Sequence, residues 1–466
     1  MAAESVPKQP GGGASGGLSG YFKLEERGTT VGTEIRAGIT TFMVMAYIIF
    51  LNPSILGAGF KDADPAFTAT ALAAGTALVA GLMTILMGVI ANYPLALAAG
   101  LGINAIVAFT LVGAEKLTPA GAMGVIVLEG LAVTVFVLVG LREAIMNAVP
   151  LALKRAIGVG IGLFILFIGL VNGGFIGSNP TGQGTPVFLA FPTTAAQGVF
   201  LIGLALTIAL WILRIRAALI ISIVVTTAIA LIFGVQKLPT TFSVAPSFST
   251  LGHFDLGNVF VHLGVIAALL TVFAIMLTDF FDTIGTVTGV AAEAGLSRPD
   301  GSVPGVGRVL LVDSLAAVAG GVAGTSSNTT YIESAAGVAE GGRTGLTSIV
   351  TGILFLLAVF LSPLAGLVPA VATAPALVLV GYLMFTLVRD IPVADPDEGL
   401  PALLTMILMP LTYDITVGIG AGFISWVLIK VIRGRFSAIH PLMWLVSAAF
   451  VVYFTESWLL PLLPKV

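Results

Sequence analysis

The sequence predicts an all-α polytopic membrane protein made of two inverted seven-segment repeats, and three observations lead to this prediction. Of the 466 residues, 57% are hydrophobic and only 9% are charged, whereas about 25% of the residues in soluble domains carry charge. Apolar stretches long enough to cross a hydrocarbon core of roughly 30 Å recur along the whole chain. The third stretch of each half is interrupted by a polar, glycine-rich piece.

Fourteen apolar segments account for most of the chain. In chain order they are 37–56, 68–91, 95–112, 121–140, 156–175, 196–214, 217–234, 261–291, 309–324, 331–341, 345–368, 374–388, 400–412 and 414–431. A further apolar stretch, 441–460, either spans the bilayer or lies in its interface. Residues 1–20 have no apolar core, so we expect them to form a disordered cytoplasmic tail.

Lys and Arg residues concentrate in alternate loops between these segments. If the N-terminus lies inside, sixteen of them fall in inside loops and only Lys61, Lys116 and Lys237 fall in outside loops. Cytoplasmic loops of membrane proteins carry an excess of Lys and Arg. The pattern therefore predicts a multi-pass protein of the cell membrane with a cytoplasmic N-terminus.

The two irregular segments occupy matching positions in the two halves. Residues 93–105 and residues 324–337 each indicate an extended piece followed by a helix that begins in the middle of the membrane. Non-helical backbone at that depth is tolerated only where it lines a cavity or is buried in protein. Paired interrupted segments are the best sequence indication of a transporter binding site. An odd number of segments in each half makes the repeats inverted.

Acidic residues lie in or beside these segments. Asp279 and Asp282 are three positions apart in one apolar stretch, and Glu333 begins the helical part of the second irregular segment. A charged side chain at the centre of a membrane helix costs roughly 2.5–3.5 kcal/mol on insertion scales, so such residues are usually functional. With Thr283 and Thr286, the two aspartates form one polar stripe that we expect to line the cavity.

Structural alternatives exist for the same residues. Glu333 also fits a capping box with Thr330, and Asn104 also fits a helix N-cap. Asp279 and Asp282 also fit a structural pair bound to threonine hydroxyls.

Other polar residues in apolar segments are interpreted as structural. Glu129 and Asp313 are expected to form helix–helix contacts, because neither adjoins a broken helix in the sequence. The chain has no Cys, and its three His residues have no metal-ligand spacing. We therefore expect neither a metal site nor a cofactor.

Several motifs give the chain a specific family resemblance. They are residues 32–38 with 52–54, residues 92–94 through 100–104, residues 279–283, residues 325–337 with 341–345, residues 409–412 and residues 440–441. In these motifs the chain resembles the azaguanine-type (AzgA-like) adenine/guanine/hypoxanthine permeases, a branch of the nucleobase–ascorbate transporter superfamily.

The resemblance implies a core domain and a gate domain. The core domain would contain residues 37–140 and 261–368, and the gate domain residues 156–234 and 374–431. Residues 441–466 form a C-terminal apolar segment of undecided placement.

The resemblance also implies proton-coupled import of purine nucleobases by movement of the core against the gate. It assigns the purine site to Asn104, Asp279 and Glu333, and a role in transport to Asp282. Because neighbouring buried carboxyl groups favour protonation, we expect the Asp282 and Asp279 pair to carry the proton. The expected partners are a purine, a proton and the lipid bilayer, without nucleic acid. A homodimer is left open.

Other functions were weighed against purine transport. An anion exchanger of the sulfate or bicarbonate type shares this architecture but needs positive potential at the broken helices, where carboxylates lie. An intramembrane enzyme would need motifs that the chain lacks, such as His-Glu-x-x-His or a phosphate loop. A channel needs no inverted pair of broken helices.

Four phenylalanine side chains are available to stack on a purine base, and the choice among them is left open. They are Phe42, Phe109, Phe280 and Phe281.

Overall fold

The structure of the chain is a computed structural model that describes most of the sequence. The described residues are 17–60, 63–140, 148–178, 187–190, 192–238, 245–298 and 302–459. Within these ranges, nine helices are long and apolar enough to cross a membrane, and four shorter apolar helices accompany them. The predicted class of a multi-pass helical protein is confirmed.

The first half of the chain holds twelve described elements. They are α1 (Leu18–Phe22), α2 (Val31–Met45), α3 (Ile48–Phe60), α4 (Ala69–Leu86), β1 (Leu97–Ala99), α5 (Leu101–Ala105), α6 (Pro119–Leu138), α7 (Leu151–Asn172), β2 (Ile176–Ser178), β3 (Val187–Leu189), α8 (Ala195–Ile212) and α9 (Ala218–Ile232). Wider π-helical turns, Met87–Ala91 and Ile106–Ala114, continue α4 and α5.

The second half follows a similar order, without a described counterpart of the β2–β3 pair, and adds a C-terminal helix. Its elements are α10 (Leu256–Leu263), α11 (Val265–Glu293), α12 (Val306–Val322), β4 (Asn328–Thr330), α13 (Ser334–Ala339), α14 (Gly345–Ala358), α15 (Ala370–Phe385), α16 (Pro396–Thr412), α17 (Ile415–Ile432) and α18 (Pro441–Leu459). Single 3-10 stretches, Val359–Leu367 and Thr386–Asp390, extend α14 and α15.

Short polar side chains begin many of these helices. Thr68 and Thr118 accept hydrogen bonds from the backbone N–H groups at the starts of α4 and α6. Thr194 and Gln197 form a complete capping box at the start of α8. Each cap satisfies an N–H group that has no partner inside the helix, so the sequence marks the helix starts locally.

The two extended pieces pair with each other as antiparallel strands. In the β1–β4 pair, Leu97 lies opposite Thr330 and Ala99 lies opposite Asn328. An inverted repeat has its two-fold axis in the membrane plane, so equivalent strands that run across the membrane are antiparallel when they pair. The pairing is therefore the arrangement that an inverted repeat produces.

Helix packing follows the same two-fold relation. α12 packs along α6, and its counterpart pair α4 packs along α14. In the other part of the molecule α7 packs along α15 and α16, while α8 packs along α9 and α15. The helices thus fall into two sets, with more extensive contact within each set than between them.

The structure corrects three predicted boundaries. The last residues of the expected tail 1–20 begin α1, because the buried Phe22 and Leu24 pack against Leu346; residues 1–16 lie outside the described ranges. The segment 37–56 breaks between α2 and α3, at residues 46–47. The segment 261–291 is divided at Gly264, whose φ of 75° ends α10 before α11 begins.

The C-terminal apolar stretch forms one helix. α18 covers nearly all of residues 441–460 and packs along α17. Its Phe450 is fully buried and contacts the ring of Phe423 in α17, with 6.1 Å between the ring centroids.

The contact between α3 and the π-helical turn of the first broken segment depends on one glycine. A Cβ atom at Gly59 would lie 2.3 Å from the Ala108 carbonyl oxygen, whereas a Cβ at Gly57 would meet nothing within 4 Å. We expect Gly59→Ala to destabilise the protein by about 1–3 kcal/mol through overpacking. The measurement is the melting temperature of the purified protein in detergent.

Gly57→Ala on the same helix is the matched control. Alanine is favoured over glycine in a helix by up to about 1 kcal/mol, so this variant should melt at or above the wild-type temperature. Equal melting temperatures for the two variants would contradict the close approach at Gly59.

Candidate functional site

The site is built where the two broken segments meet. Beyond the strand pair, the Gly100 N–H donates to the Ser327 carbonyl at 2.8 Å, and the Tyr331 N–H donates to the Ala96 carbonyl at 2.9 Å. The Tyr331 hydroxyl donates to the Ala99 carbonyl. These bonds fix the starts of α5 and α13 at the two opposite ends of one short strand pair in the interior of the protein.

Asn104 is buried in α5 with 0% of its surface exposed. Its side-chain oxygen and nitrogen have no hydrogen-bond partner among the described residues. The N-cap of α5 is Gly100, and the Asn104 N–H bonds to the Gly100 carbonyl. The capping alternative for Asn104 is therefore wrong. A buried amide with unused donors and an unused acceptor is costly unless a ligand or water meets it.

Glu333 lies directly before α13 and is held by a residue from the first half. The Tyr47 hydroxyl donates to Glu333 Oε1 at 2.7 Å. No side-chain hydrogen bond caps α13, and the Thr330 hydroxyl has no partner among the described residues. The capping box is therefore not formed, and the Glu333 carboxyl group stays available to a ligand through Oε2.

Tyr47 was not singled out from the sequence. It lies at the break between α2 and α3 and is fully buried. The only feature of the sequence that points to a role for Tyr47 is its phenol hydroxyl, a polar group inside the first apolar segment.

Asp279 and Asp282 face different surroundings on α11. Asp279 is fully buried, whereas the side chain of Asp282 is exposed. Asp282 nevertheless lies within electrostatic range of Glu333 and Asp313, deep in the protein. Its exposed surface therefore belongs to an internal opening.

The opening follows α11 in one direction. Gly285, Gly289 and Ala292 are exposed and lie three, seven and ten positions beyond Asp282, on the same helix face. In the other direction, Ile275 and Thr278 are buried. Asp282 is thus reached from the C-terminal end of α11.

The expected polar stripe is only partly correct. Thr283 and Thr286 are buried, and the Thr283 hydroxyl donates to Asp313 Oδ2 at 2.8 Å. These threonines do not line the opening beside Asp282, because they face the neighbouring elements instead.

Asp313 and Glu129 have a structural role that was not predicted from the sequence. Asp313 Oδ1 accepts from the Thr330 N–H at 3.1 Å, and Glu129 Oε2 accepts from the Ser327 hydroxyl at 3.3 Å. The expected helix–helix contact is present for Asp313, through Thr283 of α11. Although neither residue adjoins a broken helix in the sequence, both bind the second broken segment in the fold. Since α6 and α12 pack behind the strand pair, their buried carboxyl groups hold the second broken segment in place.

The aromatic candidates differ in their surroundings. The Phe42 ring packs edge-on against Phe355 at 5.1 Å, and the Phe109 ring packs edge-on against Tyr413 at 5.3 Å. Phe280 is buried, and the side chain of Phe281 lies outside the described part. Within the described ranges, no group of three His, Asp or Glu side chains has an arrangement that could hold a metal ion.

Comparison with known proteins places this site in a family. The Permease family (Xan_ur_permease) matches residues 32–421. The chain belongs to this family. Among its relatives, the guanine/hypoxanthine permease PbuG of Bacillus subtilis (strain 168) is 40% identical over 451 residues, covering 93% of this chain and 98% of the relative. The adenine permease AdeQ of Escherichia coli (strain K12) is 41% identical over 440 residues, covering 94% and 96%.

A solved structure shares the fold at low sequence identity. The transmembrane domain of the cyanobacterial bicarbonate transporter BicA superposes with a TM-score of 0.60 and 16% identity, covering 84% of this chain and 96% of that domain. The predicted fold class, with its inverted repeats and broken third helices, is thereby confirmed. The family resemblance inferred from the motifs is confirmed as well.

Asp313 offers a test of how the second broken segment is held. In Asp313→Leu the Thr330 N–H and the Thr283 hydroxyl lose a buried acceptor. Each buried group without a partner costs roughly 1–3 kcal/mol, so the melting temperature should fall. Hydrogen–deuterium exchange should rise in peptides that cover residues 325–333.

Ser314→Ala is the control for this test. The neighbouring Ser314 is also buried, but its hydroxyl donates only to the Leu311 carbonyl one turn back. This variant should leave exchange at residues 325–333 unchanged. Unchanged exchange in Asp313→Leu would show that the carboxyl group does not hold β4.

Proposed function

We propose that this permease imports purine nucleobases, with adenine, guanine and hypoxanthine as the substrate class, together with protons. The observation that carries the proposal is the buried Asn104 amide, which has no hydrogen-bond partner in the described part of the chain, at one end of the strand pair whose other end carries Glu333 at the start of α13. Relatives about 40% identical over nearly the whole chain are named for adenine or for guanine and hypoxanthine.

The chemistry of the proposed site suits a purine. A neutral purine presents ring N–H or exocyclic N–H₂ donors beside ring nitrogen and carbonyl acceptors. Carboxylates accept only, so Glu333 and Asp279 would receive the donors, while Asn104 would both donate and accept. Analogues that leave a buried partner unpaired are rejected strongly by such sites. Selectivity for purines would arise from this pattern.

The proposed mechanism moves one helix set against the other. We assign residues 37–140 and 261–368 to the core domain and residues 156–234 and 374–431 to the gate domain, in line with the two packing sets. The described polar contacts across this boundary include an ion pair between Arg216 and Glu340. A hydrogen bond of 2.8 Å also joins the Ser54 hydroxyl to that of Thr373, in the first turn of the gate helix α15 just before residue 374. Both are single contacts that a rigid-body movement can break.

Proton coupling is proposed for Asp282 together with Asp279. Asp282 opens toward the C-terminal end of α11, which the distribution of Lys and Arg makes the cytoplasmic end. Asp279 lies one helical turn further from that end and is fully buried. A proton on this pair would remove one buried charge from a site that also contains Glu333, so loading of the substrate and of the proton would favour each other.

Anion exchange is not favoured by the proposed site. Asp279, Asp282 and Glu333 are all acidic, and an anionic substrate beside them would be repelled. The bicarbonate transporter shares the fold alone, and fold does not determine substrate.

Uptake of radiolabelled hypoxanthine into cells that lack their own purine permeases tests the substrate class. We expect uptake with the wild-type chain, and we expect excess unlabelled adenine, guanine or hypoxanthine to suppress it. Uracil should compete poorly, because its single ring leaves part of the site unpaired. Failure of all three purines to compete would overturn the substrate proposal.

Asp282→Asn tests the coupling residue. Asparagine keeps the size of the side chain but cannot carry the proton, so accumulation against a gradient should stop while purine exchange across the membrane continues. In wild type, a protonophore should abolish accumulation in the same way. The measurement is the ratio of internal to external hypoxanthine in proteoliposomes under a proton gradient.

Glu293→Gln serves as the control, since Glu293 is an exposed acid at the end of the same helix. It should accumulate hypoxanthine as wild type does. If Asp282→Asn still concentrates hypoxanthine to the wild-type ratio, Asp282 is not the coupling residue.

A further inference from the structure

A second cavity lies far from the proposed purine site, at the end of the helix bundle where Lys and Arg concentrate. Its volume is about 660 Å³. It is enclosed by the α1 region, the π-helical end of α4, the end of α11 and the start of α12. Residues that line it include Lys23, Arg27, Tyr93, Leu296 and Arg308.

The cavity carries an excess of positive charge. Lys23, Arg27 and Arg308 line it with a single carboxylate, Glu26, which is already bound to Lys23 at 3.0 Å. Among the described residues, no carboxylate lies within ion-pair distance of Arg27 or Arg308. Neither arginine therefore forms an ion pair within the described part of the chain, although Glu26 and Glu34 lie close enough to act on Arg27 electrostatically.

Arg27 is held rigidly in this position. Its guanidinium donates to the Asn92 carbonyl at 2.5 Å and to the Arg343 carbonyl at 2.8 Å, and it lies over the Tyr93 ring at 5.6 Å. Burial lowers the pKa of Arg27, and Arg308 acts in the same direction, while Tyr93, Glu26 and Glu34 act to raise it. An anion placed between the two guanidinium groups would offset the repulsion between them.

Apolar side chains continue from this cavity toward the bilayer. On α4 and its π-helical end, Leu82, Leu86 and Ile90 repeat every four residues and are 47%, 39% and 36% exposed. Ile90 also lines the cavity. On α12, which contacts that π-helical end, Leu315 is exposed and lies seven residues beyond Arg308 on the same face. The basic cavity thus leads into an apolar strip between two neighbouring membrane helices.

We propose that this cavity binds the head group of one acidic phospholipid, with its acyl chains lying along the strip formed by Leu82, Leu86, Ile90 and Leu315. Basic pockets between membrane helices on the cytoplasmic side suit anionic head groups. The apolar strip is what favours a lipid over a free phosphate, because a free anion would gain nothing from it. The lipid connects the α1 region to α12, and the cavity wall includes the end of α11, the helix that carries Asp279 and Asp282. Its binding therefore stabilises the cytoplasmic end of one helix set.

The test uses the purified full-length protein in a neutral detergent. Its melting temperature is followed while dioleoyl phosphatidylglycerol, dioleoyl phosphatidylcholine or inorganic phosphate is added in separate series. We expect phosphatidylglycerol to raise the melting temperature with saturation, and the other two additives to leave it unchanged. An equal rise with phosphatidylcholine, or an equal rise with inorganic phosphate, would overturn the proposal.

Arg308→Gln locates the effect. Within the described ranges, the Arg308 side chain makes one hydrogen bond, a long one of 3.4 Å to the Ile90 carbonyl, so the variant should fold normally. Each basic residue contributes about 1 kcal/mol to binding of anionic lipid, which predicts roughly fivefold weaker half-saturation by phosphatidylglycerol.

Arg389→Gln is the control: it removes an equally positive, highly exposed side chain elsewhere at the same end and should keep wild-type half-saturation.

Leu86→Asn tests the apolar strip: it should weaken phosphatidylglycerol binding without changing the charge of the cavity. Equal half-saturation in wild type, Arg308→Gln and Leu86→Asn would show that lipid does not bind at this place.

Discussion

The strand pair between the two broken segments is the constraint on which the rest of the structure depends. Backbone that leaves the helix inside a membrane loses its internal hydrogen bonds, and each unsatisfied group costs several kcal/mol. Here β1 and β4 satisfy each other. Side chains complete the pairing: the Leu97 N–H donates to the Thr84 hydroxyl at 2.9 Å and the Ala96 N–H donates to the Ser334 hydroxyl at 2.9 Å. Short extended pieces can therefore exist at a depth where only helices are normally stable.

This pairing also explains why the candidate site draws on both halves. Asn104 follows β1, while Glu333 follows β4, and because the paired strands are only three residues long, their helix starts lie close to each other at the two ends of one strand pair. Asp279 and Asp282 reach the same region from α11, whose contacts include β4 and α13. The two-fold relation thus assembles a site from residues that are far apart in the sequence, while each half alone contains only part of it.

Much of this arrangement was predictable because its signals are local. The apolar segments, the paired interruptions and the intramembrane acids can each be read from short windows of sequence. Helix capping was an open alternative role for Asn104 and for Glu333. The structure excludes it, because Gly100 is the N-cap of α5 and the Glu333 carboxyl group instead accepts a hydrogen bond from Tyr47.

The positions of Tyr47, Glu129 and Asp313 were not predictable. Tyr47 meets Glu333 across 286 positions and Glu129 meets Ser327 across 198, and partners at such separations depend on how whole helices pack. Gly264 was missed for another reason: a glycine in an apolar stretch is compatible with a continuous helix, and only its positive φ reveals the break.

The hydroxyl of Tyr47 has a consequence for recognition. Oε1 of Glu333 already accepts a hydrogen bond from the Tyr47 hydroxyl, so the two carboxylate oxygens are not equally available to a ligand. If Glu333 binds the base as proposed, a heterocycle edge with two adjacent donors would share Oε1 with the phenol, whereas an edge with a single donor would use Oε2. A tyrosine placed at the break in the first membrane helix thereby reduces the number of acceptor positions that the proposed site offers to a base.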